Sequence, residues 1–360
     1  MTTLRLLADD LTGALDAAAE FAAVAAPLHA FWHGGLPAEL PSSAAVDSGT
    51  REMGRADARR VVAALAPALA AGGIAFKKVD SLMRGQTLAE VAACVGAGWD
   101  RCVFAPAFPF QGRITRGGRQ QARRDGGWQP AGPDLIAALR AEGVAAQAGR
   151  PGAALAPGVT VFDAETDAEL DAVVACARGQ GALWCGTGGL ARALSGQDAT
   201  CTDQLPRPVL GLFGSDQAAT FAQLAACAPH WTHLAEGAAH DLPARLADGL
   251  VLVSINLPPG LPRDAAAGRI GRAMHGLAAT LPRPGTLLVA GGETLRGLCL
   301  ALGASSLELQ GRILPGVPRA ILRGGAWDGM TVVSKSGAFG PPSLLRDLLA
   351  RNGFFLERTA

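Results

Sequence analysis

Asp9 and Asp10 stand side by side, followed by Thr12 and Gly13, between the apolar run Leu4–Ala8 and an alanine-rich stretch. A carboxylate in such a place holds sugar hydroxyls or takes a proton as a general base. A second polar cluster, Lys77-Lys78-Val79-Asp80 with Arg84 beyond it, also follows an apolar run, and Asp47-Ser48-Gly49-Thr50-Arg51 follows a shorter one. Lysine and arginine suit a carboxylate or phosphate of a small substrate. Asp10, Arg51, Lys78, Asp80 and Arg84 are therefore candidate groups for a small, anionic, hydroxyl-bearing ligand. The plainer alternative is that Asp9, Asp10 or Thr12 caps a helix and that Lys78 and Asp80 form a solvated surface pair. One cap, however, does not require two acids.

The second half of the chain carries a different chemistry. Gly214-Ser215-Asp216-Gln217, Gly291-Gly292-Glu293-Thr294 and Lys335-Ser336-Gly337 each stand where an apolar run gives way to a helix or loop. Backbone N–H groups at helix N-termini bind anions, and glycine lets a phosphate approach closely. Three such junctions, with Thr294 and Lys335 adding phosphate-binding groups, point to a phosphate-bearing ligand; otherwise the glycines only make tight turns. The P-loop pattern, the dinucleotide fingerprint and the Gly-x-Ser-x-Gly elbow are absent. His230-x-x-His233 has metal-like spacing but falls in a predicted strand, where odd spacing puts the rings on opposite faces, so it is read as a non-ligand.

The elements that must position these groups alternate between strand and helix. Leu4–Ala8, Leu28–Trp32, Ala44–Val46, Gly73–Val79, Arg101–Ala105, Gly158–Phe162 and Ala182–Cys185 read as strands. Leu15–Ala26, Ala56–Ala71, Leu88–Val95, Thr166–Arg178 and Gly188–Leu194 read as helices. The run from Pro106 to Gly118 is too rich in proline and glycine for a helix or a central strand. Gln197–Pro208 reads as a linker, after which the alternation restarts with strands at Pro208–Phe213, Gly249–Ile255, Gly285–Ala290, Arg319–Leu322 and Met330–Ser334. Repeated βα units mean mostly parallel sheets flanked by helices, and in such sheets ligands bind beyond the carboxyl ends of the strands. The 360 residues suffice for two α/β domains, and a hydrophobic content of 49% suffices for their cores. With 18% charged residues and a net charge of +1, nothing suggests a nucleic-acid or membrane partner. Seven scattered cysteines without a Cys-x-x-Cys favour free thiols in a reducing cytoplasm. No room is left for a signal peptide before the first strand, and no apolar run reaches a membrane span.

The stretches Ala8–Asp16, Lys77–Gly85, Pro106–Thr115, Gly291–Thr294, Ile313–Pro318 and Lys335–Gly340 together resemble the four-carbon acid sugar kinase family. The resemblance implies a sugar-acid (substrate) domain, residues 1–200, a nucleotide-binding domain, residues 207–360, and an active site in the cleft between them. It implies ATP-dependent phosphorylation of the terminal hydroxyl of threonate, erythronate or a 3-oxo-tetronate, with Mg²⁺ bridging the phosphates. Carried over by motif, Asp10, Arg51, Lys78 and Asp80 take the substrate, and Ser215, Gly291, Gly292, Glu293, Thr294 and Gly337 take ATP. Asp10 is the first candidate for the catalytic base and Asp80 the second; no metal ligand is assigned. The expected partners are a small sugar acid and ATP, a homo-oligomer is left open, and the expected location is cytoplasmic. The rival readings are a non-catalytic sugar-acid and nucleotide sensor, and a nicotinamide enzyme that the missing fingerprint disfavours.

Overall fold

A computed structural model describes residues 2–124, 126–214, 217–234, 241–255, 261 and 263–355. The chain folds as two compact units, Met1–Ala199 and Thr200–Ala360.

In the first unit the order is β1 (Leu4–Ala8), α1 (Leu11–Ala19), β2 (His29–Trp32), β3 (Ala44–Asp47), α2 (Arg55–Leu65), β4 (Ile74–Lys78), α3 (Thr87–Val95) and β5 (Arg101–Ala105). There follow β6 (Arg113–Arg116), β7 (Arg119–Arg124), β8 (Gly127–Asp134), α4 (Leu135–Ala141), β9 (Ala146–Ala148), β10 (Gly158–Val161), α5 (Asp167–Ala177), β11 (Leu183–Gly186) and α6 (Gly188–Ser195). The main sheet runs β2-β3-β1-β4-β11-β5-β10-β9, with every pair parallel. Its strands are apolar and buried on both faces, as a helix-covered parallel sheet requires. Phe104, Val159, Leu183 and Leu135 lie in one core cluster with the helix residues Val62 and Val91.

Three local readings change. The first helix starts at Leu11, not Leu15, because Asp10 caps it, and it ends at Ala19. The helix read over Ala56–Ala71 is α-helical only to Leu65 and tightens into a 3₁₀ turn at Ala66–Ala71, where Pro67 has no N–H to continue the ladder. The Pro/Gly-rich run Pro106–Gly118 itself contains β6, which with β7 and β8 beyond it forms a small antiparallel sheet that periodicity did not reveal. Its strands are short of apolar residues, and buried Gln120 ties it down by donating to the carbonyls of Ser81 and Pro106, both at 3.0 Å.

The second unit contains β12 (Val209–Phe213), α7 (Ala218–Ala225), β13 (Trp231–Leu234), α8 (Leu242–Ala247), β14 (Leu250–Ile255), α9 (Arg263–Thr280), β15 (Thr286–Ala290) and α10 (Gly292–Ala301). It ends with β16 (Ser306–Leu314), β17 (Val317–Arg323), β18 (Thr331–Lys335) and α11 (Leu344–Arg351). Strands β13-β14-β12-β15-β18 pair in parallel, and β17 and β16 continue the sheet antiparallel. A separate core gathers Phe213, Leu252, Leu288, Val333, Leu345 and Leu349. No described helix is long and apolar enough to cross a membrane. All seven cysteines are free thiols.

Candidate active site

The order β3-β1-β4 makes the carboxyl ends of three strands neighbours, and each end delivers part of one charged cluster. Strand β1 ends into Asp9 and Asp10. Asp10 is the N-cap of α1: Oδ1 accepts from the Gly13 N–H at 2.8 Å and Oδ2 from the Thr12 hydroxyl at 2.8 Å. Capping does not exhaust it, because Oδ1 also accepts from Arg51 Nη2 at 3.0 Å. Arg51 arrives from the loop after β3, which the Ser48 and Arg51 amides tie to the carbonyls of Ala8 and Asp9. Its guanidinium donates through Nε and Nη2 to Asp9 and points Nη1 at Asp80 Oδ1, 3.3 Å away. Gly85 makes room for that loop: its φ is +70°, and a Cβ there would stand 2.9 Å from the Arg51 carbonyl oxygen.

Strand β4 ends in Lys77 and Lys78, both buried. Lys77 pairs with Glu90 of α3 at 2.7 Å, each side chain only 1% exposed, and Thr50 donates to the other Glu90 oxygen at 2.7 Å. Burial opposes the charge on Lys77, but Glu90 and Asp9 outweigh it and hold the ammonium protonated above its usual range. Lys78 bends the other way. Its Nζ donates to the Val79 carbonyl at 2.9 Å, and among the described residues it forms no ion pair. Asp80, two residues on, accepts from the Leu82 and Arg84 amides at 3.1 and 3.0 Å and from the Arg84 side chain at 3.0 and 2.7 Å. Burial works against its charge, but Arg84 and Arg51 prevail and hold the carboxyl far below the usual carboxylate range. The three acids therefore differ: the Asp10 side chain is 23% exposed, against 6% for Asp80 and 2% for Asp9.

In the second unit the ends of β12, β15 and β18 are neighbours too, and here backbone predominates. Gly291 caps α10 with φ +101°, a conformation that suits glycine, and its N–H reaches the Lys335 carbonyl at 3.3 Å. Gly292, Glu293 and Thr294 form the first turn of α10, so their amides lack intrahelical partners. Thr294 is buried, and Glu293 pairs with Arg296 at 2.5 Å on the surface. Lys335 closes β18 with its Nζ donating to the Ser336 carbonyl at 3.0 Å and to the Thr220 hydroxyl at 3.2 Å; Thr220 in turn donates to the Gly337 carbonyl at 2.7 Å. Burial lowers the Lys335 ammonium to about 8. Ser215 lies outside the described residues.

A model of a sugar-binding N-terminal domain matches residues 4–139, and a model of a nucleotide-binding C-terminal domain matches residues 255–345. The chain is 32% identical over 396 residues to the D-threonate kinase of Bordetella bronchiseptica, covering 94% of this chain and 95% of the relative. The chain belongs to the four-carbon acid sugar kinase family. The D-threonate kinase of Cupriavidus necator is similar to the same degree, 32% over 402 residues, with 94% and 95% covered. In fold, this family member resembles a putative tRNA synthase from Salmonella typhimurium at a TM-score of 0.73, with 20% identity and 95% and 97% of the two chains covered.

Asp10, Arg51, Lys78 and Asp80 thus converge on one cluster of the first unit, and Gly291 to Thr294 lie beside Lys335 and Gly337 in the second. The structure adds Asp9 to the first group and brings Arg84, which the sequence had set beside Lys78 and Asp80, into it. Each had a signal in the sequence of this kinase-family chain: Asp9 is half of the acid pair, and Arg84 stands four residues after Asp80. Thr220, which ties Lys335 to Gly337, had none, since it is one small polar residue on an apolar helix. His230 precedes β13 and packs against Phe355, while His233 lies tilted against Trp231, so the two rings have separate surroundings.

Proposed function

We propose that this protein is an ATP-dependent kinase that phosphorylates the terminal hydroxyl of a four-carbon sugar acid, threonate being the first substrate to test. The observation that carries the reading is the cluster of Asp9, Asp10, Arg51, Lys78, Asp80 and Arg84 at the ends of three adjacent strands. Within it Arg51 is committed to three carboxylates, whereas among the described residues Lys78 hydrogen-bonds a backbone carbonyl and forms no ion pair, its charge acting on Asp80 through space. Lys78 is therefore the anchor for the substrate carboxylate, and Arg51 fixes the acids around it. Asp10 is the base. It is the most open of the three acids, and Asp80 is too strongly held as a carboxylate to take up a proton readily. As the acceptor oxygen attacks the γ-phosphorus, its proton passes to Asp10, the bond from phosphorus to the bridging oxygen breaks, and ADP leaves.

The nucleotide phosphates belong at the α10 turn of residues 207–360, opposite the substrate function of residues 1–200. A divalent cation fits there. Magnesium is commonly held by one or two carboxylates together with substrate phosphates, and Glu293 supplies a carboxylate in that first turn, tied only to surface Arg296. When bound, the ion neutralises charge developing on the phosphates. Transfer requires the acceptor hydroxyl and the γ-phosphate to meet, so the two domains must bring their ligands face to face.

The test is ADP release with a panel of threonates, erythronates and 3-oxo-tetronates of both hands, with the matching tetritols as neutral controls. Turnover with at least one acid and none with the alcohols is expected. Binding of an acid and of ATP without any turnover replaces the kinase with a sensor.

A further inference from the structure

The sheet of the second unit ends in a row that extends past the glycine turns. His233 pairs with Ser254, Ser254 with Phe213, Phe213 with Ala290, and Ala290 with Lys335. Five parallel strands are thus in register at their carboxyl ends, over about 19 Å at ~4.8 Å per strand. Paired residues of parallel strands share a face, so His233 and Lys335 look out from the same side of the sheet. Helix α7 crosses that side and touches both ends of the row. Thr220 meets Lys335 at 3.2 Å, and Phe221 packs edge-on to Trp231 with ring centroids 6.5 Å apart.

One end of the row is cationic and rich in backbone donors; the other is aromatic. Trp231 and His233 lie two residues apart on one face of β13, ring centroids 4.7 Å apart. Both are fastened by one buried hydroxyl: Ser254 Oγ accepts from the indole N–H at 3.0 Å and lies 3.0 Å from His233 Nδ1. The fastening leaves ring surface open, because Trp231 is half-buried, His233 is exposed and Phe221 is 39% exposed. Aromatic rings that are held by their polar edges and remain partly wet are suited to stacking a flat heteroaromatic group.

We propose that the nucleobase of the bound triphosphate stacks on Trp231 and His233, with its phosphates directed along the row toward Gly291–Thr294 and Lys335. This rests on the reading of the second unit as the nucleotide site and adds which end takes the base. The ligand class is a purine nucleotide, and the cationic end alone accepts inorganic polyphosphate.

The experiment measures ADP and inorganic tripolyphosphate binding by calorimetry to the full chain, in wild type, His233→Ala and Trp231→Leu. Stacking on one aromatic side chain supports an expected loss of about tenfold or more in ADP affinity for Trp231→Leu, with a smaller loss for His233→Ala. Tripolyphosphate should bind all three alike. His233 is at the surface, so its variant remains informative if the Trp231 variant does not fold. ADP binding unchanged in a folded His233→Ala and a folded Trp231→Leu overturns the assignment of the base. Equal losses of ADP and tripolyphosphate overturn it too, since the rings would then only support the phosphate end. Wild type binding neither ligand removes the nucleotide reading of this unit itself.

Discussion

The two candidate ligand regions are built in opposite ways for holding an anion. At the acceptor cluster nearly every charge has a side-chain partner: Arg51 with Asp9, Asp10 and Asp80, Arg84 with Asp80, and Lys77 with Glu90. At the α10 turn the donors are backbone amides, and among the described residues the buried cation Lys335 faces carbonyls and a hydroxyl. On the proposed reading, a mutually neutralised cluster can be rigid before the ligand arrives, and Lys78, which forms no ion pair among the described residues, then discriminates. A backbone site with a buried lysine stays poised for a polyanion, and the burial of that charge weighs against stability until the ligand comes. The same strand-end position would then serve specificity in one domain and charge capture in the other.

Four experiments break or sharpen this contrast. The largest effect is expected from Asp10→Asn, which keeps an acceptor for the Gly13 N–H and so keeps the cap. Turnover should fall by about 10²–10⁴ while the melting temperature barely moves. A loss of less than tenfold would return Asp10 to a capping role and move the search for a base to Asp80. Next is Lys77→Met, which leaves Glu90 buried and unpaired. Chemical denaturation should show about 3–5 kcal/mol of lost stability, with most of it regained in Lys77→Met/Glu90→Leu. If the double variant is no better than the single one, the pair is not a self-contained support for β4.

Lys78→Met addresses discrimination. A hydrogen bond to a charged group is worth roughly 1.5–3 kcal/mol, so kcat/KM for the acid should drop ten- to a hundredfold and its advantage over the tetritol should narrow. Arg51→Ala should instead damage kcat and folding together. If Arg51→Ala alone erases the preference for the acid, the two roles are exchanged. The smallest effect is a pH profile. Lys335 titrates near 8, below an unfolded lysine, so the protein carries the cost of burying its charge below that pH and is relieved of it as pH rises through 8. Function runs the other way: kcat/KM for ATP should fall, by up to about tenfold between pH 7 and pH 9, as the ammonium is lost. Lys335→Met should flatten that profile, weaken ATP and raise the melting temperature at neutral pH. A wild-type profile that stays flat for ATP would separate Lys335 from the phosphates.

Much of the fold was legible because its strands are short, apolar and closed by polar residues. In a parallel sheet every strand end of that kind borders the ligand side, so Asp10, Lys78, Asp80 and Gly291–Thr294 were visible as soon as the strands were. The small sheet β6–β8 was not, because Arg119–Arg124 and Gly127–Asp134 show no alternation of apolar and polar residues. It is held by Gln120 on the carbonyls of Ser81 and Pro106, contacts between residues far apart in the chain. The start of α1 was misplaced because Leu11–Ala14 carries no separate helix signal; the Asp10 cap determines it.

By itself the sequence determined which groups stand at strand ends, that the main sheets are mostly parallel, and which family the chain resembles, since all three depend on local pattern and residue type. Only the tertiary structure decided how those groups differ. Asp9, Asp10 and Asp80 are the same side chain in sequence, yet one is sealed against Arg51, one is open beside its cap, and one is saturated by Arg84 and two amides. Lys77, Lys78 and Lys335 likewise part ways, to a buried carboxylate, to a lone carbonyl, and to a ring of carbonyls and a hydroxyl. The physical reason is that a charge's behaviour is set by its burial and by partners within a few ångströms, and those partners come from elements that only folding brings together.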